Sequence, residues 1–240
     1  MLIKPATSSI GTTIFHKECS MYSTVKSIRM HHYSIDEIKT WNRFYRANFI
    51  NCLSGFKSAT LIGTLGTNNV ANLGLFSNLV HLGADPALIG FINRPREAAP
   101  HTIANIEASG IYTMNHIDLS FIQQAHQSSA KYGADESEFD ATGLAIEWKE
   151  NCTAPFVAAS KVKYAMELVE IIPIRHNGTF LIIGEIKDVF IDEHILGNDG
   201  YLHLEHANSV CSLGTDGYYT TTLQARFEYA KPGKPAEKIN

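Results

Sequence analysis

The sequence holds only four cysteines, Cys19, Cys52, Cys152 and Cys211, and no two of them form a C-x-x-C pair. That spacing excludes a thioredoxin-like motif and argues against a thiolate zinc site. No apolar run is long enough to span a bilayer, and no apolar h-region stands near the N-terminus, so the cysteines are expected to be reduced core thiols of a cytoplasmic protein. Charge is scarce as well. Only 18% of the 240 residues are charged, the formal net charge is -4 and the pI is about 6.2. This leaves no basic footprint for nucleic acid, and no arginine-rich stripe interleaved with aromatics is present. A G-x-G-x-x-G fingerprint after a strand is also missing, which excludes a Rossmann grip on a dinucleotide. There is no internal repeat and no low-complexity tract. What remains, 45% hydrophobic with a mean hydropathy of -0.08, is an ordinary globular composition. The chain is long enough to bury roughly 70–75% of its unfolded surface around one core.

The densest pattern runs from Phe56 to Ile117. Phe56 to Leu65 reads as a strand broken at Gly63, Thr67-Asn68-Asn69 supplies turn chemistry, and Val70 to Val80 returns as a hairpin partner. Gly74 marks a place where another group approaches the backbone. Pro86 to Asn93 is a short buried strand ending in Arg94-Pro95-Arg96. Pro100 to Gly110 then reads as a helix, with Thr102 or a neighbour near its N-cap and Gly110 past its end. A helix start gathers free N–H groups and the positive end of the dipole at one spot, and Arg94 and Arg96 would converge there on a phosphate. Three or four charge-assisted hydrogen bonds of roughly 1.5–3 kcal/mol each suffice for about micromolar affinity after ordering costs. The same residues are open to a plainer account, with both arginines solvated and Thr102 only capping a helix.

Around this stretch the chain is less specific. Residues 1–29 are rich in Ser and Thr without sustained periodicity and are expected to be a disordered leader, with one folded domain over residues 30–230 and a polar tail over 231–240. His31-His32 is too short for a metal site. Ser34-Ile-Asp-Glu37 is a capping box opening a helix, whose stripe of Ile38, Trp41, Tyr45 and Phe49 is more simply core packing than a ligand box. Asp118 to Tyr132 reads as a second amphipathic helix with Phe121, Ile122 and Ala125 inward. Asp135, Glu136 and Glu138 are most simply a solvated acidic set at a helix start. Lys161 to Arg175 and Thr179 to Ile191 form a long hairpin about His176-Asn177-Gly178, and Tyr218 to Tyr229 supplies a closing strand. His203 and His206 are of metal-ligand type, but a strand would set them on opposite faces, so no metal site is expected. Many short strands with few helices imply a mainly β fold, a closed antiparallel barrel with peripheral helices.

Taken together and in order, several of these residues resemble the flavin reductase-like FMN-binding split barrels, the family of flavoredoxins and NAD(P)H:flavin oxidoreductases. They are the first hairpin, Asn72 to Asn78 with Phe76-Ser77-Asn78, Asp85-Pro86, Arg94, the helix from His101-Thr102 to Asn105-Ile106, Met114-Asn115, Glu138 to Leu144, and Ala154-Pro155-Phe156. The resemblance implies an antiparallel split β-barrel and a homodimer with FMN near the subunit interface. It implies hydride transfer from NADH or NADPH, bound as a transient substrate, to flavin, with electrons passed to a redox protein or flavin acceptor. Backbone amides of Leu75, Phe76, Ser77 and Asn78 are then expected near the ring N1 and O2, with the Ser77 and Asn78 side chains at the ring edge. Asn and Ser near strand ends also commonly satisfy local backbone groups. Arg94 and Thr102 are expected at the phosphate, Asn93 and Arg96 in the same loop, and Ser54 near the flavin. His126 is either structural or a hydrogen-bond or proton donor to the flavin. Two other classes stay open: a non-enzymatic FMN electron carrier, and a split barrel holding another cofactor such as pyridoxal phosphate or haem.

Overall fold

A computed structural model describes residues 29–239; residues 1–28 and 240, and with them Cys19 and nearly all of the expected leader, lie outside the described residues. The chain divides into two units between Trp41 and Asn42. In the first, Ser34 caps α1 (Ile35–Thr40) by accepting from the Glu37 N–H at 3.2 Å, as the capping-box spacing requires. Trp41 then turns to extended backbone, and Asn42 caps a separate α2 (Arg43–Leu53) by accepting from the Phe44 N–H at 2.9 Å. The single helix expected through Ile38, Trp41, Tyr45 and Phe49 is therefore two. The second cap resets the helix, and α2 buries none of its residues.

The second unit is built on strands. After β1 (Lys57–Ser58) the break falls at Ala59, and Gly63 lies inside β2 (Thr60–Leu65). Gly63 is required there by close approach, because a Cβ would stand 2.2 Å from the Pro155 carbonyl oxygen and 2.6 Å from Thr113 Oγ1. The turn that follows holds Asn69 at φ 62, and the Gly66 N–H donates to the Val70 carbonyl at 2.9 Å. The return strand, β3 (Ala71–Phe76), stops four residues before the expected end, and Val80 opens a new strand, β4 (Val80–Ala84), paired with β5 (Ala87–Asn93). Then come α3 (Pro100–Ser109), ended by Gly110 at φ 72, and β6 (Ile111–His116). The helix expected over Asp118–Tyr132 is a 3-10 turn at Leu119–Phe121 followed by the short α4 (Ile122–Gln127).

Beyond it lie α5 (Glu138–Thr142), β7 (Ile146–Glu147), β8 (Phe156–Val157) and the long hairpin of β9 (Val162–Ile174) and β10 (Thr179–Ile191). β11 (Val210–Leu213) and β12 (Gly217–Thr220) follow. The closing strand expected over Tyr218–Tyr229 is thus interrupted. The chain beyond Lys231 folds back, pairing β13 (Arg226–Phe227) with β14 (Lys238–Ile239).

Seven strands form one antiparallel sheet in the order β3-β2-β6-β9-β10-β5-β4. Its two edges, β3 and β4, are joined by only Ser77, Asn78 and Leu79, a link that reaches roughly 10 Å when fully extended. The sheet must therefore roll until its edges approach. Within that link Asn78 takes a ladder position: its amide donates to the Ile92 carbonyl at 2.9 Å and accepts the Ile92 N–H at 3.0 Å, extending the β4–β5 ladder by side chain. Both faces of β2 are covered. Leu61 joins Leu73, Ile117, Phe121 and Phe139 in one core cluster, while Ile62 joins Phe91, Ile103, Ile106, Tyr112 and Met114 in another. A strand covered on both sides needs no polar alternation, which is why its sequence reads as a continuous apolar run.

Gly63→Ala is expected to destabilise the chain by about 1–3 kcal/mol through overpacking against the backbone of Pro155. Urea unfolding reads this as a lower midpoint at unchanged m-value; an unchanged midpoint would mean that the Pro155 segment yields freely.

Candidate functional site

A cavity of about 350 Å³ opens beside β3, bounded by Ser77 and Asn78, by the loop and first turn leading into α3, and by residues 128–132 after α4. It lies within the usual range for small-molecule pockets. Its floor is fixed by buried polar contacts. The Asn72 amide donates to Thr64 Oγ1 and to Thr102 Oγ1, both at 3.2 Å, and the Asn105 amide donates to Thr64 Oγ1 at 3.0 Å. These bonds tie α3 to β2 and β3. Gly74 lines the cavity next to them, where a Cβ would fall 2.8 Å from the Phe76 ring and 3.0 Å from Thr102 Oγ1.

Glu138 corrects the expectation of a solvated acidic set. It is 7% exposed, lines the cavity from α5, and its Oε2 accepts the Leu73 N–H at 2.9 Å. Burial pushes its carboxyl above the usual glutamate value, although the Leu73 N–H pulls in the opposite direction. Glu136, by contrast, is exposed and accepts the Gly133 N–H.

On the cationic side the two arginines part company. Arg94 lines the cavity, and among the described residues its guanidinium has no hydrogen bond or ion pair. Arg96 does not line it. It forms a two-pronged pair with Glu107 at 2.5 and 2.7 Å and lies 4.9 Å above the Phe180 ring, so its charge is already matched. Hydrogen bonding within that pair raises the Arg96 pKa and lowers that of Glu107. Asn93 is buried behind the same loop, donating to the Arg94 and Ala99 carbonyls at 2.8 and 3.1 Å, and braces the loop without lining the cavity. Ala99 is the N-cap of α3 and makes no side-chain cap bond, with Pro100 at the first helical position. Thr102 is thus the third residue of the helix, within its first turn, buried, with its hydroxyl facing Asn72.

Of the other expected residues, Leu75, Phe76, Ser77, Asn78 and Thr102 line the cavity together with Arg94, and Ser54 and His126 do not. The Asn78 side chain is committed to both backbone groups of Ile92, which leaves the hydroxyl of Ser77 as the polar side-chain group of that link without a partner among the described residues. Ser54 ends α2, its hydroxyl donating to the Asn51 carbonyl. His126 is exposed and pairs through Nδ1 with the Tyr218 hydroxyl at 2.9 Å. Its neighbour Ala125 takes the inward position, and the segment just beyond α4 lines the cavity instead. That segment brings Lys131, a second cation without an ion pair among the described residues. Lys131 and Glu138 are the residues that pattern reading missed. The sign available in the sequence for Glu138 was its place beside Phe139 in the Glu138–Leu144 segment that carries the family resemblance. The cavity so assembled has an apolar wall, a free hydroxyl and a cationic side beside a helix start, a set suited to a flat ring bearing an anionic arm.

Because its folded pKa is raised, Glu138 contributes stability that is present below the ordinary glutamate pKa and is lost as pH rises through the raised value. Glu138→Gln keeps an acceptor for Leu73 without a buried charge. Denaturant unfolding across pH 4–8 should therefore show a flatter acid-to-neutral profile than wild type, with equal or higher stability at neutral pH. Glu138→Ala strands the Leu73 N–H and should cost about 1–3 kcal/mol at acid pH, and less at neutral pH, where the wild-type carboxyl no longer contributes. An unchanged pH profile in the Gln variant would remove Glu138 as its source.

The sequence matches the family described as "Flavin reductase like domain" over residues 54–212. Among solved structures, a candidate flavin reductase with a split barrel domain from Shewanella frigidimarina NCIMB 400 is 46% identical, with a TM-score of 0.81 covering 84% of this chain and all of that one. Nitrilotriacetate monooxygenase component B from Bacillus cereus is 18% identical with a TM-score of 0.73, covering 83% of this chain and 100% of its own. Flavoredoxin of Desulfovibrio vulgaris (Miyazaki F) is 23% identical with a TM-score of 0.62, covering 75% and 92%. The last two share the fold. With a family match over most of its length and a 46% identical split-barrel structure, this chain belongs to the flavin reductase-like family.

Proposed function

We propose that the chain binds FMN in the cavity beside β3 and catalyses hydride transfer from NADH or NADPH to it. The observation that carries this is Arg94, without a partner among the described residues, at a cavity that also receives the first turn of α3. The residues fit the group. Pro100 at the first position has no N–H to lose, the following amides lack partners in the helix, and Arg94 and Lys131 supply charge to match a phosphate. Gly74 keeps clear the wall that a flat ring would lie against, since any Cβ there collides with Phe76 and Thr102.

When bound, FMN would supply the redox chemistry: hydride acceptance from a nicotinamide and onward electron transfer. The protein holds and orients. The backbone from Leu75 to Asn78 offers donors for the ring edge, and the Asn78–Ile92 bonds keep that link from moving as charge develops. The nicotinamide cofactor enters as a transient substrate, because no Rossmann fingerprint is present to grip it. A homodimer belongs to the same proposal, supported by the apolar Phe44, Ile50, Leu53 and Phe56, each 44–78% exposed. Exposed apolar area of this kind gathers at protein interfaces.

Absorbance of the purified chain titrated with FMN, followed by anaerobic NADH or NADPH, tests the activity. Perturbed flavin bands that bleach are expected; binding without bleaching would leave an electron carrier, and no binding would overturn the assignment. Arg94→Ala should weaken FMN binding at least about tenfold, the equivalent of one charge-assisted hydrogen bond, with circular dichroism unchanged. Equal affinity in that variant would remove Arg94 from the site.

A further inference from the structure

We propose that His203, Glu205 and His206 form a binding site for a divalent transition metal of the zinc class, separate from the cavity. The expectation that the two histidines diverge assumed a strand. Instead the segment turns: the His206 N–H donates to the His203 carbonyl at 2.9 Å, the Asn208 N–H to the Glu205 carbonyl at 3.2 Å, and the Ser209 N–H to the Leu204 carbonyl at 3.1 Å. Both imidazoles thereby reach the same side, with ring centroids 5.1 Å apart and planes 17° from parallel. His203 Nδ1 lies 3.1 Å from Glu205 Oε1, and one ligand atom from each of the three residues falls within 4.8 Å of the others.

Two imidazoles and a carboxylate are the donors that zinc and its neighbours take, and hard ions such as calcium do not favour them. Three donors at about 2.0–2.2 Å from one ion stand roughly 3.4 Å apart. The present triangle needs to close by about 1 Å or somewhat more, a small side-chain rotation in which His203 and Glu205 exchange their mutual contact for the ion. The backbone beneath need not move. Leu202, Leu204 and Ala207 pack on Val162, Ile191 and Ile195, and the His203 N–H donates to the Ile195 carbonyl at 2.8 Å. Residues at intervening positions are thus anchored. Such preorganisation lowers the ordering cost of binding. His203 and Glu205 are partly buried and His206 is exposed, which leaves remaining coordination positions to water. The nearby cation Arg226 is matched by Asp199 at 2.5 Å and stacks 4.0 Å from the Tyr201 ring, so its charge is not directed at the donors alone.

The test is calorimetric titration of Zn²⁺ into the full chain, produced without a polyhistidine tag and dialysed against chelator. One ion per chain is expected, and the visible d–d absorption of Co²⁺ should appear at the same stoichiometry. His203→Ala and His206→Ala should each weaken binding at least about tenfold and suppress the Co²⁺ bands, with circular dichroism unchanged. Glu205→Gln, which preserves shape, should do likewise if an alanine variant fails to fold. No saturable Zn²⁺ binding by the wild type, or binding undiminished in these variants, overturns the proposal.

Discussion

The Asn72 amide is the contact on which the site depends. With both its N–H groups on threonine hydroxyls, one on β2 and one on α3, it sets the helix against the sheet at one height and one rotation. Buried amides of this kind contribute modest net stability but are costly to leave unpaired, so they act mainly as selectors of geometry. From that docking follows the place of the α3 start, and from the α3 start follows the wall along which Arg94 lies. Glu138 does the corresponding work on the other side of β3, taking the Leu73 N–H and so docking α5 on the same strand.

Rolling of the sheet gives the cavity its other boundary. A three-residue link between β3 and β4 forces the edges together, and the Asn78 side chain stands in for a backbone partner of Ile92 where the two edges leave a gap. Sheet edges are generally closed, covered or blunted; here one side-chain amide closes a ladder position and stiffens the cavity rim at once. The division of labour between Arg94 and Arg96 has a similar origin. Two residues apart on one loop, they face different surroundings, and the one that meets Glu107 and Phe180 becomes a structural clamp while the other has no partner among the described residues.

Much of the fold was legible in the sequence. The Asn68-Asn69 turn, the long hairpin about Asn177-Gly178 and the helix from Pro100 to Gly110 all carry local signals, since turn and cap residues act within a few positions of themselves. Misreadings arose where the deciding partner is distant in sequence. Gly63 reads locally as a strand break because a glycine's local effect is flexibility, whereas its role is to admit Pro155, 92 residues on. Glu138 reads as a solvated carboxylate because nothing local announces the Leu73 N–H. The histidines at 203 and 206 fall on opposite faces only of a strand, and here the chain turns.

By itself the sequence determined the main hairpins, the helix from Pro100, the family order of motifs and the presence of two arginines ahead of a helix start, because these depend on backbone preference, periodicity and short-range spacing. Only the tertiary structure decided which arginine stays free, which acid is buried, that Asn78 is consumed in closing the sheet, and that His126 faces Tyr218 rather than the cavity. Those outcomes turn on partners tens of residues away. A hydrogen bond or ion pair is selected by what the fold brings within about 3 Å, and no local pattern encodes that distance.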